Sequence, residues 1–402
     1  MGLSNASLGL IAGVIYFSIP QLLAARHVPE SKIAFMTAAA LAPNFLAVPL
    51  GPILDVRFSR RWYATFFAAL ESILVVVAIL NLDHLAVLTA AIVFGAGAAM
   101  LSSTALGGWL SSVTAEDEKN QLSAWINIPL ICGIGVTSVL GGELVRHLPI
   151  WLAAGLLGLI IFSPATIFLI MPAPGPDRRL AAESFIQFNR EVLALLRRRE
   201  VLIALMLFVF PCGSFALTNL LGGVGNDFHA SARMVSLAGG VGAIIPGLIG
   251  CLFYPVIAKR MPLRLLYLVN GITGGLFTLA LLLLPHASWV FALALFGIFL
   301  FQAMSFAIQC GITFETIGQD NPLAATTFTF LVGATNIPLT AMMLVDGRAY
   351  SYGGVAGSFT ADAVISIATC LVIGAVLYRL SGKAFGSGPH VVEVLQTLPQ
   401  ED

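Results

Sequence analysis

Apolar residues run through this chain in long unbroken stretches separated by short polar connections. Each stretch is about 20 residues or longer, the length at which a helix crosses a bilayer. Twelve such spans are legible, over 5–25, 31–51, 62–81, 85–112, 120–141, 149–171, 200–222, 232–256, 264–284, 289–314, 322–344 and 354–379. The stretches are continuous and do not alternate, which predicts helices and argues against barrel strands. One connection is longer than the rest. It opens with Pro172, Pro174, Gly175 and Pro176, which stop the sixth span. Phe185, Phe188, Val192, Leu195 and Leu196 then recur at helical spacing, with Glu183, Gln187, Arg190 and Arg197 opposite. That pattern predicts an amphipathic helix lying along the inner membrane face and tethering two halves. The expected division is an N-terminal six-helix bundle over 1–171, a linker over 172–199, a C-terminal bundle over 200–380, and a disordered Gly/Pro-rich, then acidic, tail over 381–402.

Two echoes mark the halves as copies of one unit. The loop Gly51–Tyr63 returns as Pro255–Tyr267, setting Pro52 on Pro255, Arg57 on Arg260 and Arg61 on Arg264. Asn127-Ile-Pro-Leu130 reappears unchanged as Asn336-Ile-Pro-Leu339.

Composition fits a membrane chain. Of 402 residues, 58% are hydrophobic and only 10% charged, and mean hydropathy is +0.95. A soluble domain cannot cover its surface with so few polar side chains. The net charge of zero gives no pull toward nucleic acid, but the placement of charge is informative. Of the 20 lysines and arginines, only Arg26, Lys32, Arg146, Arg233 and Arg348 fall on one side of the predicted topology. The rest fall on the other, which fixes both termini as cytoplasmic. The absence of a basic residue before Arg26 leaves no charged leader region, so the first span is expected to remain in the mature protein. The five cysteines lie far apart within apolar runs, without metal-ligand spacing. No metal or cofactor is expected. The chain has no HExxH, GxSxG or phosphate-binding loop, and its histidines lie outside the span centres, which argues against an enzyme and against ATP as the energy source.

Twelve spans, a six-plus-six repeat, a long central connection and the loop at 51–61 together resemble the major facilitator superfamily. That family's loop reads Gly-x-Leu-x-Asp-Arg-x-Gly-Arg-Arg. Gly51, Ile53, Asp55, Arg60 and Arg61 match it with one extra residue after the aspartate, so that Arg57 comes late and Ser59 stands for a glycine. The stretch from Pro20 to Leu22, and Ala42–Asp55, look most like AmpG-like muropeptide permeases and their acetyl-CoA and siderophore relatives. The resemblance implies a monomeric transporter of the bacterial inner membrane with a central cavity lined by the first, fourth, seventh and tenth spans. One departure is plain: the arginine that many proton-linked members carry in the fourth span has no counterpart between Leu85 and Ser112.

On those four helices the candidate solute contacts are Ser18 and Gln21, with Ser7 on the same face; Thr104, with Ser111; Ser214 and Thr218; and, on one stripe of the tenth, Gln302, Ser305, Gln309 and Thr313. Tyr16, Trp109 and Trp125 are aromatic candidates for stacking on a solute. Ionisable residues within spans are functional candidates by default. Glu71 and Asp362 are therefore candidate proton carriers, and Glu315 a candidate for the inner gate. Asp55, Arg57, Arg60 and Arg61 are expected to form a latch, the aspartate pairing with an arginine when the cytoplasmic side is closed. Asn127 and Asn336 are expected to bond the carbonyls that Pro129 and Pro338 leave free. With no Lys or Arg deep in any span, the cavity suits a neutral, zwitterionic or amphiphilic solute. These features point to a secondary active transporter working by alternating access, with proton coupling as the expected drive. A transport-inactive receptor of the same fold and a gradient-driven exporter are the alternatives.

Overall fold

Proline decides where the predicted spans bend. In the computed structural model, which describes residues 1–55, 58–172, 185–212, 216–220, 224–231, 234–235, 241–318, 321 and 323–380, the first span runs over Gly2–Ala25. It widens into a π-turn over Val14–Ser18, because Pro20 has no N–H for the carbonyl one turn back. The second span is two helices, Glu30–Ala39 and Pro43–Leu50, finished by a tight turn over Gly51–Asp55. The break falls where Pro43 opens a new helix, the one position at which its missing N–H costs nothing. The third span, Arg60–Leu80, begins with the Ser59 hydroxyl accepting the Trp62 N–H. The fourth, fifth and sixth run over Leu85–Val113, Glu116–His147 and Ile150–Leu169.

The second half departs further from the predicted ranges. The seventh span is helical over Arg199–Val209, stops at Phe210 in extended backbone ahead of Pro211, and resumes over Leu217–Leu220. The eighth is helical over Ile244–Ala258, the ninth over Leu263–Leu281 and the tenth over Ser288–Ile317. The eleventh and twelfth meet at a sharp turn. Ala324–Leu380 is one helical run broken at Gly354, whose φ of 59° glycine alone adopts freely. Among the described residues, nine helical segments are long and apolar enough to cross a membrane, the last of double length, and none is a strand.

Close backbone packing joins the first and fifth spans. A Cβ on Gly9 would lie 2.1 Å from the Leu130 carbonyl oxygen, and one on Gly133 would lie 2.8 Å from the Leu10 nitrogen. Only small residues permit that approach. The third and sixth are joined by Ser72, which donates to the Gly158 carbonyl. Each half has its own apolar core. A further cluster crosses between them, packing Trp109 and Leu110 with Phe314, Ile317, Ala325 and Phe328. The connecting helix forms over Phe185–Leu196. Its Leu195 is buried against Val201 and Leu323, so the apolar edge covers the starts of two spans. Arg190 and Arg197 are exposed. Glu183 and the tail over 381–402 lie outside the described residues.

Candidate functional site

A cavity of about 240 Å³ lies between the halves. The first, fourth and tenth spans line it through Asn5, Ser103, Thr104, Gln309 and Thr313. No described residue of the seventh does. The second, fifth and eleventh contribute instead, with Asn44, Asn127, Thr335 and Asn336, and Tyr267 closes one wall. Leu8, Leu106, Leu110, Phe306, Phe328 and Leu339 supply apolar surface. Among the described lining residues there is no Asp, Glu, Lys, Arg or His.

Three of the predicted solute contacts thus reach the cavity: Thr104, Gln309 and Thr313. Gln309 donates through Nε2 to the Tyr267 hydroxyl at 2.9 Å, and Thr313 donates to the Gln309 carbonyl at 2.8 Å. The others are placed elsewhere. Gln302 donates to Thr218 at 3.0 Å, tying the tenth span to the seventh. Ser305 is buried outside the lining. Ser18 is buried and donates to the Thr137 carbonyl at 2.6 Å, a bond between the first and fifth spans. Gln21 is exposed. Ser214 lies outside the described residues. Trp109 is buried, donates to the Pro172 carbonyl at 2.9 Å and packs edge-on against Phe168, so its ring faces protein.

The paired Asn-Ile-Pro-Leu motifs were legible as a repeat but not as a site. Asn127 and Asn336 both face the cavity, one from each half. Pro129 and Pro338 free the carbonyls of Trp125 and Ala334, yet the amides do not bond those. Asn127 donates to the Ser123 carbonyl at 2.8 Å and Asn336 to the Val332 carbonyl at 3.2 Å, a full turn back along each helix. Asn5, Asn44 and Ser103 carry no sequence signal beyond polarity within a span.

The intramembrane carboxyls sit away from this cavity. Glu71 is fully buried in the third span beside Ser7, and neither oxygen makes a well-formed hydrogen bond among the described residues. Asp362 lines a second, much smaller cavity of about 10 Å³ with Thr278 and Ser366, room for roughly one water. Asp346 is buried within electrostatic range of Asp362, with both oxygens unpartnered among the described residues. It was missed because the predicted eleventh span ended at 344, whereas the helix runs on through it.

At one end of the molecule the halves are bonded to each other. Asp55 is buried and accepts the Arg60 Nε–H at 2.9 Å. Across the interface it accepts the Ala325 N–H at 3.1 Å, the Thr326 N–H at 2.7 Å and the Thr326 hydroxyl at 2.7 Å. These donors are the unsatisfied first turn of the eleventh span, where a carboxylate also meets the positive end of the helix dipole. Arg60 reaches over as well, donating to the Asn321 carbonyl at 3.4 Å. Arg61 remains in its own half, its guanidinium 5.9 Å from the Trp109 ring centre. Arg57 lies outside the described residues, and Glu315 is exposed. A second crossing lies at the fifth span. Buried Lys119 holds Glu116 at 2.6 Å and donates to the Phe314 carbonyl in the last turn of the tenth span at 3.2 Å. The Tyr254 hydroxyl donates to Asn120 Oδ1 at 2.8 Å. In the sequence Lys119 is one of the cytoplasmic topology charges and carries no further signal.

The chain is similar in fold to several solved transporters. It matches the E. coli fucose:proton symporter FucP at 12% identity, covering 93% of this chain and 98% of that one with a TM-score of 0.70. The proton:xylose symporter XylE bound to 6-bromo-6-deoxy-D-glucose matches at 15% identity, covering 93% and 94%, with a TM-score of 0.68. A bacterial homologue of the iron transporter ferroportin, in an outward-facing state, matches at 14% identity over 95% and 98%, with a TM-score of 0.66. No curated protein matches it closely by sequence. The profile described as Major Facilitator Superfamily matches residues 1–321. With that match, the all-helical architecture and the cavity between two halves, the chain belongs to the major facilitator superfamily as a multi-pass membrane transporter and not an enzyme.

Proposed function

We propose that this transporter moves a small organic solute by alternating access, driven by the proton gradient of a bacterial inner membrane, as a monomer with both termini cytoplasmic. The observation that carries the reading is the cavity between the halves, apolar with several amides and hydroxyls and no charge among its described residues, and closed at one end by bonds that join the halves. The positive-charge bias makes that end the cytoplasmic one. Asp55, Arg60 and the first turn of the eleventh span form its latch. Gln309, Thr313 and Thr104 hold the solute, and Gln302, Ser305, Ser18 and Thr218 keep the helices that carry them in register. Proton transfer is assigned to the buried carboxyls, Glu71 in one half and Asp362 with its neighbour Asp346 in the other. Glu315, on the same end of the tenth span, belongs to the gate. The AmpG-like resemblance near Pro20 and over Ala42–Asp55 is part of the same proposal, and it keeps sugar- and amide-bearing solutes in view.

Reconstitution tests it. In proteoliposomes an imposed proton gradient should accumulate solute, and Glu71→Gln should abolish accumulation while leaving counterflow exchange intact. Wild-type accumulation by Glu71→Gln moves the role to Asp362, tested in the same way. Binding without any accumulation or exchange identifies a receptor in place of a transporter.

A further inference from the structure

We infer that the solute is an uncharged molecule recognised chiefly through its own hydrogen-bond donors, hydroxyl or N–H groups, held between Asn127 of one half and Asn336 of the other. The inference rests on the transport reading and concerns the chemistry of the same cavity.

The direction of the hydrogen bonds carries it. A hydroxyl has one proton to give. Ser103 gives its proton to Asn5 Oδ1 at 3.0 Å, Thr313 to the Gln309 carbonyl at 2.8 Å and Thr335 to the Val332 carbonyl at 2.7 Å. Toward the cavity these three offer lone pairs only. The amides lean the same way. Asn127 and Asn336 each commit an N–H to a backbone carbonyl, and a carbonyl partner can accept only from nitrogen, which settles which amide atom is which. What each has left is one N–H against two lone pairs on Oδ1. Gln309, with an N–H on the Tyr267 oxygen, is left in the same condition.

Asn5, Asn44 and Thr104 bring further N–H and O–H groups to the lining, so it offers both kinds of partner, with lone pairs in the majority and no fixed charge among its described residues. A carboxylate or phosphate brings acceptors only, and neutral N–H and O–H groups without a counter-charge would replace only part of its hydration. A cation would find no counter-charge. A polyol or a primary amide brings donors, and its carbon skeleton can lie on Leu8, Phe306 and Leu339. Because Asn127 and Asn336 come from opposite halves, a solute with donors at two points bonds both and bridges the surface across which the halves move.

The test is a thermal-shift titration of the full chain in detergent with three size-matched sets. One holds polyols, monosaccharides and primary amides; the second their O-methyl and N,N-dimethyl counterparts; the third sugar acids and sugar phosphates. The first set should contain the binders, methylation of a binder should weaken it at least tenfold, and the third set should be silent. Asn127→Leu and Asn336→Leu should each weaken a binder by about threefold to tenfold. The methylation series uses the unaltered protein, so a variant that fails to fold does not decide the matter. Binders confined to the second or third set, or none in the first, overturn the inference. Accumulation of an anion in proteoliposomes would overturn it while leaving the transport reading standing. Failure of every set to accumulate or exchange would remove both.

Discussion

Two crossings bond the halves at one end of the molecule, and they use opposite chemistry. At the first, a carboxylate from the second span sits on the N–H groups that open the eleventh span. At the second, the Lys119 ammonium of the fifth span sits on a carbonyl that ends the tenth, and Tyr254 bonds Asn120 beside it. Each charge meets the helix end of opposite sign. The internal repeat makes the contrast instructive. The alignment that pairs Pro52 with Pro255 sets Asp55 against Ala258 and Arg60 against Leu263. The second loop kept its surface cations and has an apolar pair where the first has a buried ion pair. The two loops share their cations but not the buried pair, and both charged groups that bond the halves, Asp55 and Lys119, come from the first half.

Asp55→Asn should produce the largest effect. It leaves Arg60 buried without its counter-charge, at a cost of about 3–5 kcal/mol to the closed arrangement. Native Cys310 lines the cavity, and in a background lacking the other cysteines it should become reactive to an impermeant maleimide added from the latched side. Unchanged labelling with full transport would reduce the loop to a topology signal. Replacing both partners, Asp55→Ala with Arg60→Leu, copies the second loop and should open the end less than Asp55→Ala alone, because no charge is stranded. Equal or greater labelling of the double variant would show that the bonds to Ala325 and Thr326, not the ion pair, dominate. Lys119→Met should come next, weakening closure by up to about 2 kcal/mol, the upper range for a partly buried cation at a helix terminus. Tyr254→Phe removes one neutral hydrogen bond and should cost about 0.5–1.5 kcal/mol. If Lys119→Met matched Asp55→Asn, the two crossings would be equal partners and the contrast would fall.

The helices were legible because each follows from uninterrupted apolar length, which one residue more or less does not alter. The third, fourth and tenth spans lie within a few residues of their expected ranges. Breaks were harder to read. Pro43 and Pro211 are visible as helix breakers, but whether a proline bends a helix or divides it depends on neighbours far away in sequence. The site was partly legible for a related reason. Helical periodicity sets Gln302, Ser305, Gln309 and Thr313 on one stripe, yet Gln302 meets Thr218 of another span while Gln309, two turns away, meets the cavity. Periodicity locates a face, and what the face meets depends on tertiary packing. The loop at 51–61 was legible as far as an aspartate paired with an arginine, but not in its bonds across the interface, where the partners of Asp55 are chiefly backbone N–H groups.

The helix from Ala324 to the break at Gly354 gives the end of the molecule a mechanical meaning. Its first turn is held by Asp55, its middle presents Asn336 to the cavity, and Asp346 lies further along the same helix. From Ala325 to Asp346 is about 30 Å of helix at 1.5 Å per residue, with Pro338 as a joint along it. Such a rod is a lever whose foot is clamped by the latch. A tilt of about 10° at that foot would carry the far end roughly 5 Å. Solute bonded to Asn336 and the carboxylate at Ala325 would then bear on the same stretch of helix, with Asp346 beyond its joint.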